Sequence, residues 1–151
     1  MAEGCFHITT RKDIMFDISQ YLDHYVIYGI KQYLNIVAKP SINKKGLIHC
    51  STQNLHNIGN LLQLIDGKIF GVKALELLLF KQAYHYRILR DLDSKTELKR
   101  IQALKNILAE IRETDYMPTK DLEIDLIEHH KHYEGLYNKI IKALGEIDQL
   151  Y

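Results

Sequence analysis

The sequence predicts an all-α protein, folded as a single-domain antiparallel bundle of about five helices. Apolar residues recur at spacings of three and four along most of the 151-residue chain, which is typical of helices with one buried face. We read no strand-type alternation of apolar and polar residues, and no Asn-Gly hairpin dipeptide occurs. No repeat or linker divides the chain, so residues 1–151 are expected to form one domain.

The first two helices are predicted on either side of a polar stretch that follows Pro40. The first begins at Thr10, where Thr10 and Asp13 match a capping box, and it ends at Pro40. Its apolar face comprises Ile14, Ile18, Leu22, Tyr25, Gly29, Tyr33 and Val37. The second begins near Ser51, and its seam for a partner helix comprises Leu55, Ile58, Leu62, Ile65 and Ile69.

Three further helices are predicted in the second half of the chain. The third runs from Val72 to about Leu92 and is apolar on nearly all sides, which makes it the candidate central helix. A capping box of Ser94 and Glu97 opens the fourth. The last long helix follows Pro118, and its seam comprises Leu126, His130, Tyr133, Tyr137, Ile140, Leu144 and Ile147.

Charge and cysteine content set the expected environment. The 20 basic and 19 acidic residues leave a net charge of +1 and no basic field to attract phosphates, so nucleic acid is not an expected partner. No apolar run is long enough to cross a membrane, and the start lacks a signal peptide. Cys5 and Cys50 fit no zinc or redox motif, so we expect two inert thiols in a cytoplasmic protein.

One polar helical face suggests a chemical role. His56, Asn60 and Gln63 fall one turn apart in the segment LHNIGNLLQLIDG, beside the seam of the second helix. This segment resembles the phospho-acceptor helix of two-component histidine kinases and related phosphotransferases. The resemblance implies that His56 accepts a phosphoryl group, that Asn60 orients a water, and that the seam forms a homodimer. It also implies a response regulator or a histidine kinase as the protein partner.

The resemblance departs from the family pattern in ways that narrow the expected activity. The acidic residue that follows the histidine in the family is Asn57 here, which cannot accept a proton. No glycine-rich phosphate loop follows the segment. The expected function is therefore a regulatory or adaptor role in signal transduction, through phosphotransfer or a phosphatase-like action at His56 and Asn60 and without a cofactor.

A metal-binding bundle, metalloprotein or hydrolase-like, is the main alternative. On the last helix, Glu128 and His132 are spaced i, i+4, and His129 and His132 are spaced i, i+3, so one divalent ion could contact them from a single helix. His85 is the candidate ligand from another helix. In the other reading, His129 and His132 form a solvated face with Lys131, and no ion binds there. A structural oligomerisation module or a sensor of an apolar ligand is a further alternative.

Overall fold

A computed structural model of the protein describes residues 3–9, 13–113 and 121–151. The chain separates into two compact units, Met1–Lys68 and Ile69–Tyr151, and each is described by itself. The expectation of one domain stays a prediction. No helix in the described ranges is long and apolar enough to cross a membrane.

The first unit contains a four-stranded antiparallel sheet in the order β1-β2-β4-β3. The strands are β1 (Glu3–Ile8), β2 (Ile14–Tyr21), β3 (Ser41–Ile42) and β4 (Leu47–Thr52). Every second side chain is buried on one face, as expected when one side of an antiparallel sheet covers a core. The buried residues are Phe6, Ile8, Ile14, Phe16, Ile18, Ile48, Cys50 and Thr52.

The sheet shows that the all-α prediction was wrong. Thr10, the predicted start of the first helix, lies outside the described residues, and Asp13 closes the hairpin between β1 and β2 by accepting from the Thr9 amide at 2.8 Å. Ile14 and Ile18 do lie on one face, but Phe16 is buried between them on that same face. Side chains at i, i+2 and i+4 share a face only in a strand, so the period is two.

Two helices, α1 (His24–Tyr33) and α2 (Leu55–Ile65), complete the first unit. α1 packs on β2 and β4 through the buried Ile27 and ends before Pro40. α2 begins after Asn54, whose Oδ1 accepts from the backbone amides of His56 at 2.9 Å and Asn57 at 3.1 Å. Ser51, the predicted start of this helix, belongs to β4 instead.

The connection between β3 and β4 depends on Gly46. Gly46 has a φ of +85°, a conformation that is strained for residues with a Cβ. Its carbonyl accepts from the Leu22 amide at 3.0 Å, which joins this hairpin to the end of β2. A Cβ at position 46 would lie 2.5 Å from Cδ2 of Leu22, so a larger residue there would displace that side chain.

The second unit comprises α3 (Val72–Ile88), α4 (Ser94–Glu113) and α5 (Leu122–Leu150). α3 packs on both other helices, and its buried residues include Leu75, Leu79 and Phe80. α4 begins at Ser94 as predicted, although Asp93 caps it by accepting from the amides of residues 95 and 96. Pro118, the predicted boundary before the last helix, lies outside the described residues.

Polar contacts fix α3 to its two neighbours. Tyr86 of α3 donates its hydroxyl hydrogen to Asp148 of α5 at 2.5 Å, and Arg100 of α4 pairs with that carboxylate at 3.2 Å. Burial and the bond to Asp148 raise the pKa of Tyr86 to about 12. The buried Glu76 of α3 pairs with Lys73 at 2.9 Å and with Arg112 of α4 at 3.3 Å.

Candidate functional site

The outer face of the sheet carries mostly polar side chains. Its side chains alternate with the buried ones and are mostly half-buried, as is usual for an uncovered sheet face. We define the outer face by these residues: Cys5, His7, Met15, Asp17, Ser19, Ser41, His49, Ser51 and Gln53. Most of them carry hydrogen-bond donors or acceptors, so the face can contact a polar ligand over several strands.

Asp17 lies near the middle of the outer face, between two histidines. Its Oδ2 is 2.5 Å from Nε2 of His7 on β1 and 3.7 Å from Nε2 of His49 on β4. Cys5 faces Asp17 directly across the β1–β2 pair. A carboxylate, two imidazoles and a thiol are therefore collected on three adjacent strands.

The end of β4 presents a second group of polar side chains. Gln53 is exposed and lies over Met15, with its Nε2 3.9 Å from the methionine sulfur. A cavity of about 320 Å³ opens beside it and is lined in part by Ser51, Asn54 and Asn57. This edge of the outer face therefore combines a recess with amide and hydroxyl groups.

The two cysteines lie on opposite faces of the sheet. Cys50 is buried, and its burial raises the pKa of its thiol, an effect that the charge of Lys31 only partly offsets. Cys5 is half-buried on the outer face. Both are free thiols, but only Cys5 is placed among other polar side chains.

His56 and Asn60 lie where the sequence placed them, one turn apart on α2. His56 is exposed, and its Nε2 is 3.5 Å from Nδ2 of Asn60. The seam beside them is occupied within the chain, because Ile58 and Leu62 are buried in the protein's own core. Leu55, Ile65 and Ile69 of the same seam are only half-buried, and the homodimer stays a prediction.

The histidines of the last helix do not assemble with His85. In the part of the chain that the structure describes, Glu128, His129, His132 and His85 form no group of three ligand atoms within 4.8 Å of one another. His129 lines an apolar groove of about 470 Å³ between α5 and the start of α3. His130, predicted to lie in a seam, has a side chain that is 70% exposed. A divalent ion at these positions stays a prediction.

The fold is similar to that of two DNA-bound nucleases. The LAGLIDADG meganuclease I-AabMI bound to uncleaved DNA matches 68% of the chain with a TM-score of 0.57 and 25% identity. The archaeal intron-encoded homing endonuclease I-Vdi141I complexed with DNA matches 98% of the chain with a TM-score of 0.59 and 16% identity. The chain spans 39% of the first protein's length and 89% of the second's. No protein-family model and no curated protein matches the sequence.

This likeness corrects the functional predictions. The resemblance to a phospho-acceptor helix was wrong, because the first unit contains a four-stranded sheet and the fold is similar to that of two DNA-bound nucleases. A signalling role with a response regulator or histidine kinase partner is overturned with it. The expectation of no nucleic acid was also wrong, since both similar proteins are bound to DNA. The oligomerisation, ligand-sensor and metal-binding bundle alternatives do not match this fold either, although a divalent ion at the last-helix positions is not tested by it.

Sequence reasoning missed the outer face entirely. Its residues were assigned to a helix or to connecting segments, so their common position could not be recognised. The signal that could have found it is the alternation in IMFDISQ and LIHCST, where apolar residues occupy every second position. The polar residues between them would then have been placed on one surface.

Proposed function

We propose that this chain is a double-stranded DNA-binding protein of the LAGLIDADG homing endonuclease type, and that the outer face of its sheet contacts the DNA. The observation that carries the proposal is the fold match to a meganuclease bound to DNA over 68% of the chain. A second DNA-bound endonuclease with a similar fold supports it.

The chemistry of the outer face supports DNA as the ligand. The major groove of B-DNA is about 12 Å wide and admits a β-ribbon whose side chains reach the base edges. Serine and glutamine side chains on the outer face can donate to or accept from those edges. They lie on adjacent strands, at the regular spacing of a sheet, so several consecutive base pairs are within their reach.

Local cations next to the sheet support phosphate contacts in spite of the low net charge. Lys44 and Lys45 are exposed in the connection between β3 and β4. Phosphate contacts position a protein on DNA and need only a few such side chains at the rim of the surface.

We extend the proposal to phosphodiester cleavage inside the cell, because both similar proteins are named as nucleases. Two free cysteines suit a reducing compartment. In this proposal, contacts between the outer face and the bases select the DNA sequence. Cleavage of that sequence is a separate property and needs a separate assay.

The test compares two exposed glutamines of the first unit. A preferred site is first selected from random double-stranded DNA, and its affinity is measured by fluorescence anisotropy. Gln53→Glu adds one negative charge to the outer face, so it is expected to weaken binding by about three- to tenfold. Gln32→Glu makes the same change on α1, which covers the opposite side of the sheet, and should leave the affinity unchanged.

The outcomes separate binding from cleavage. If no sequence is enriched, or if the two variants weaken binding equally, the outer face is not the DNA-binding surface. Cleavage is assayed on the selected site with Mg²⁺ and with EDTA. Intact DNA under both conditions would remove the nuclease extension while leaving the DNA-binding proposal in place.

A further inference from the structure

Three side chains on the outer face form a compact set of metal-ligand donors. Cys5 and His7 are two residues apart on β1, so they point to the same side of the sheet, and Asp17 faces Cys5 from β2. The cysteine sulfur, an imidazole nitrogen and a carboxylate oxygen all lie within 4.8 Å of one another. Among the described residues, no other set of three such groups comes this close together.

The contact between His7 and Asp17 is short but is not a hydrogen bond. Nε2 of His7 lies 2.5 Å from Oδ2 of Asp17. This nitrogen is nevertheless shielded from solvent and makes no hydrogen bond. The carboxylate oxygen therefore lies off the direction of the ring N–H. A shielded nitrogen without a hydrogen bond costs free energy unless another ligand satisfies it.

His49 extends the set from the other side of Asp17. Its Nε2 is 3.7 Å from the same carboxylate oxygen and its side chain is half-exposed. In a tetrahedral zinc site with bonds of about 2.0–2.3 Å, the donor atoms stand roughly 3.4 Å apart. His49 is outside the set of three groups that lie within 4.8 Å of one another, so its imidazole must turn toward Cys5 and His7 to complete a tetrahedral shell.

We propose that Cys5, His7 and Asp17, with His49 as the fourth ligand, bind one Zn²⁺ ion on the outer face of the sheet. A thiolate, two imidazoles and a carboxylate are ligand types that zinc accepts in tetrahedral sites. Mg²⁺ prefers six oxygen ligands and is disfavoured by this set. Four protein ligands close the coordination shell, so the ion is structural and cross-links β1, β2 and β4.

Zinc binding at this site releases protons. The Cys5 thiol must become a thiolate and both histidines must be neutral before all four can coordinate. Acidification is therefore expected to weaken zinc binding. Zinc binding is measured on the protein without DNA, so its result does not depend on whether the protein binds DNA.

The experiment titrates the full-length, untagged and reduced protein with Zn²⁺ by calorimetry and with Co²⁺ by visible absorbance. We expect one ion per chain and the absorbance of a thiolate-bound tetrahedral Co²⁺ complex. Cys5→Ser and Asp17→Asn should each weaken binding by at least about tenfold, the loss that even outer-shell changes cause. His24→Ala, which removes an exposed histidine of the same unit, is the control and should bind normally.

A second measurement, the rate of cysteine alkylation, uses the wild-type protein. It therefore does not depend on whether a variant folds. Zn²⁺ should slow the alkylation of Cys5 by at least about tenfold, since a coordinated thiolate is blocked. Cys50 is buried and should react slowly with or without the ion. Binding below one ion per chain, normal affinity in Cys5→Ser, or equal alkylation of Cys5 with and without Zn²⁺ would each overturn the site.

Discussion

Asn57 shows how a single buried amide holds the first unit together. Its Oδ1 accepts from the Thr52 hydroxyl at 3.1 Å, and its Nδ2 donates to the carbonyls of Leu34 at 3.0 Å and Asn35 at 3.3 Å. These bonds connect α2 to the end of β4 and to the segment after α1. The residue that seemed to replace a catalytic acid in the sequence therefore has a structural role.

Substituting this amide should be costly. Asn57→Leu keeps a similar volume but removes the acceptor of the Thr52 hydroxyl hydrogen and the donor to the two carbonyls, while the Thr52 oxygen still accepts from the Asn54 amide. We expect the free energy of unfolding to fall by about 2–3 kcal/mol, as for buried polar groups that lose a partner. Urea denaturation followed by circular dichroism measures it. His56→Ala, at the exposed neighbour, should change stability by less than about 0.5 kcal/mol, and equal losses would contradict this role.

Glu76 gives the second unit a pH-dependent contribution to stability. Burial raises the pKa of its carboxyl, but hydrogen bonds from Lys73 and Arg112 and their charges outweigh this and hold the pKa below its ordinary value of 4.5. Because the folded-state pKa is depressed, the stabilisation is present above pH 4.5. It is lost as the pH falls through the lower folded-state value.

Glu76→Gln removes this contribution and tests its sign. At neutral pH we expect the variant to be about 1–2 kcal/mol less stable than wild type, a modest value because both partners are partly exposed. The difference should shrink as the pH falls below 4.5 and through the lower folded-state pKa, where the wild-type carboxyl becomes protonated. Glu113→Gln on the exposed side of α4 is the control. A difference that stays constant between these pH values would exclude the ion pairs as its cause.

At the scale of elements, glycines in different backbone conformations should respond oppositely to alanine. Gly46→Ala places a Cβ at φ +85° and against Leu22, so we expect a loss of about 1–2 kcal/mol. Gly29→Ala lies in α1 with no atom within 4 Å of the new Cβ, and should stabilise by roughly 0.5–1 kcal/mol. Thermal unfolding of the two variants measures both. If both variants changed the stability in the same direction, the backbone conformation of Gly46 would not be needed for the β3–β4 connection.

The helices could be predicted from the sequence far better than the strands. α3 and α4 begin where the apolar periodicity and the Ser94 boundary placed them. The strands were missed because Ile14 and Ile18 satisfy both a helical spacing of four and a strand spacing of two. Only Phe16, buried between them, distinguishes the two, and short strands offer few such positions.

The strand alternation could have indicated the outer face, but not which of its side chains meet, because that depends on how the strands pair. Cys5, Asp17 and His49 are far apart in the sequence and no motif joins them. His56 and Asn60 were correctly expected to be neighbours, since helical spacing alone fixes their separation. Local periodicity thus predicts contacts within one helix, whereas contacts across strands require the register.

At the scale of the whole molecule, the low net charge does not exclude the DNA partner that we propose. A balance of 20 basic and 19 acidic residues excludes a long-range basic field, but not a few cations at the rim of a polar surface. Nonspecific DNA binding grows with the number of phosphates neutralised, whereas base contacts do not depend on net charge. The proposed function therefore requires that phosphate contacts contribute less to the DNA affinity than base contacts do.

This requirement predicts a shallow salt dependence of DNA binding. Between about 50 and 200 mM salt, log affinity against log salt should have a slope no steeper than roughly −4, which corresponds to about four phosphate contacts. Replacing Lys44 and Lys45 together by alanine should reduce the slope by about two and weaken the selected and a scrambled site alike. Lys142→Ala on α5 should change neither quantity. A steep slope, or one that the two lysines do not affect, would mean that DNA is held by a different surface, because the rim of the sheet offers few other cations among the described residues.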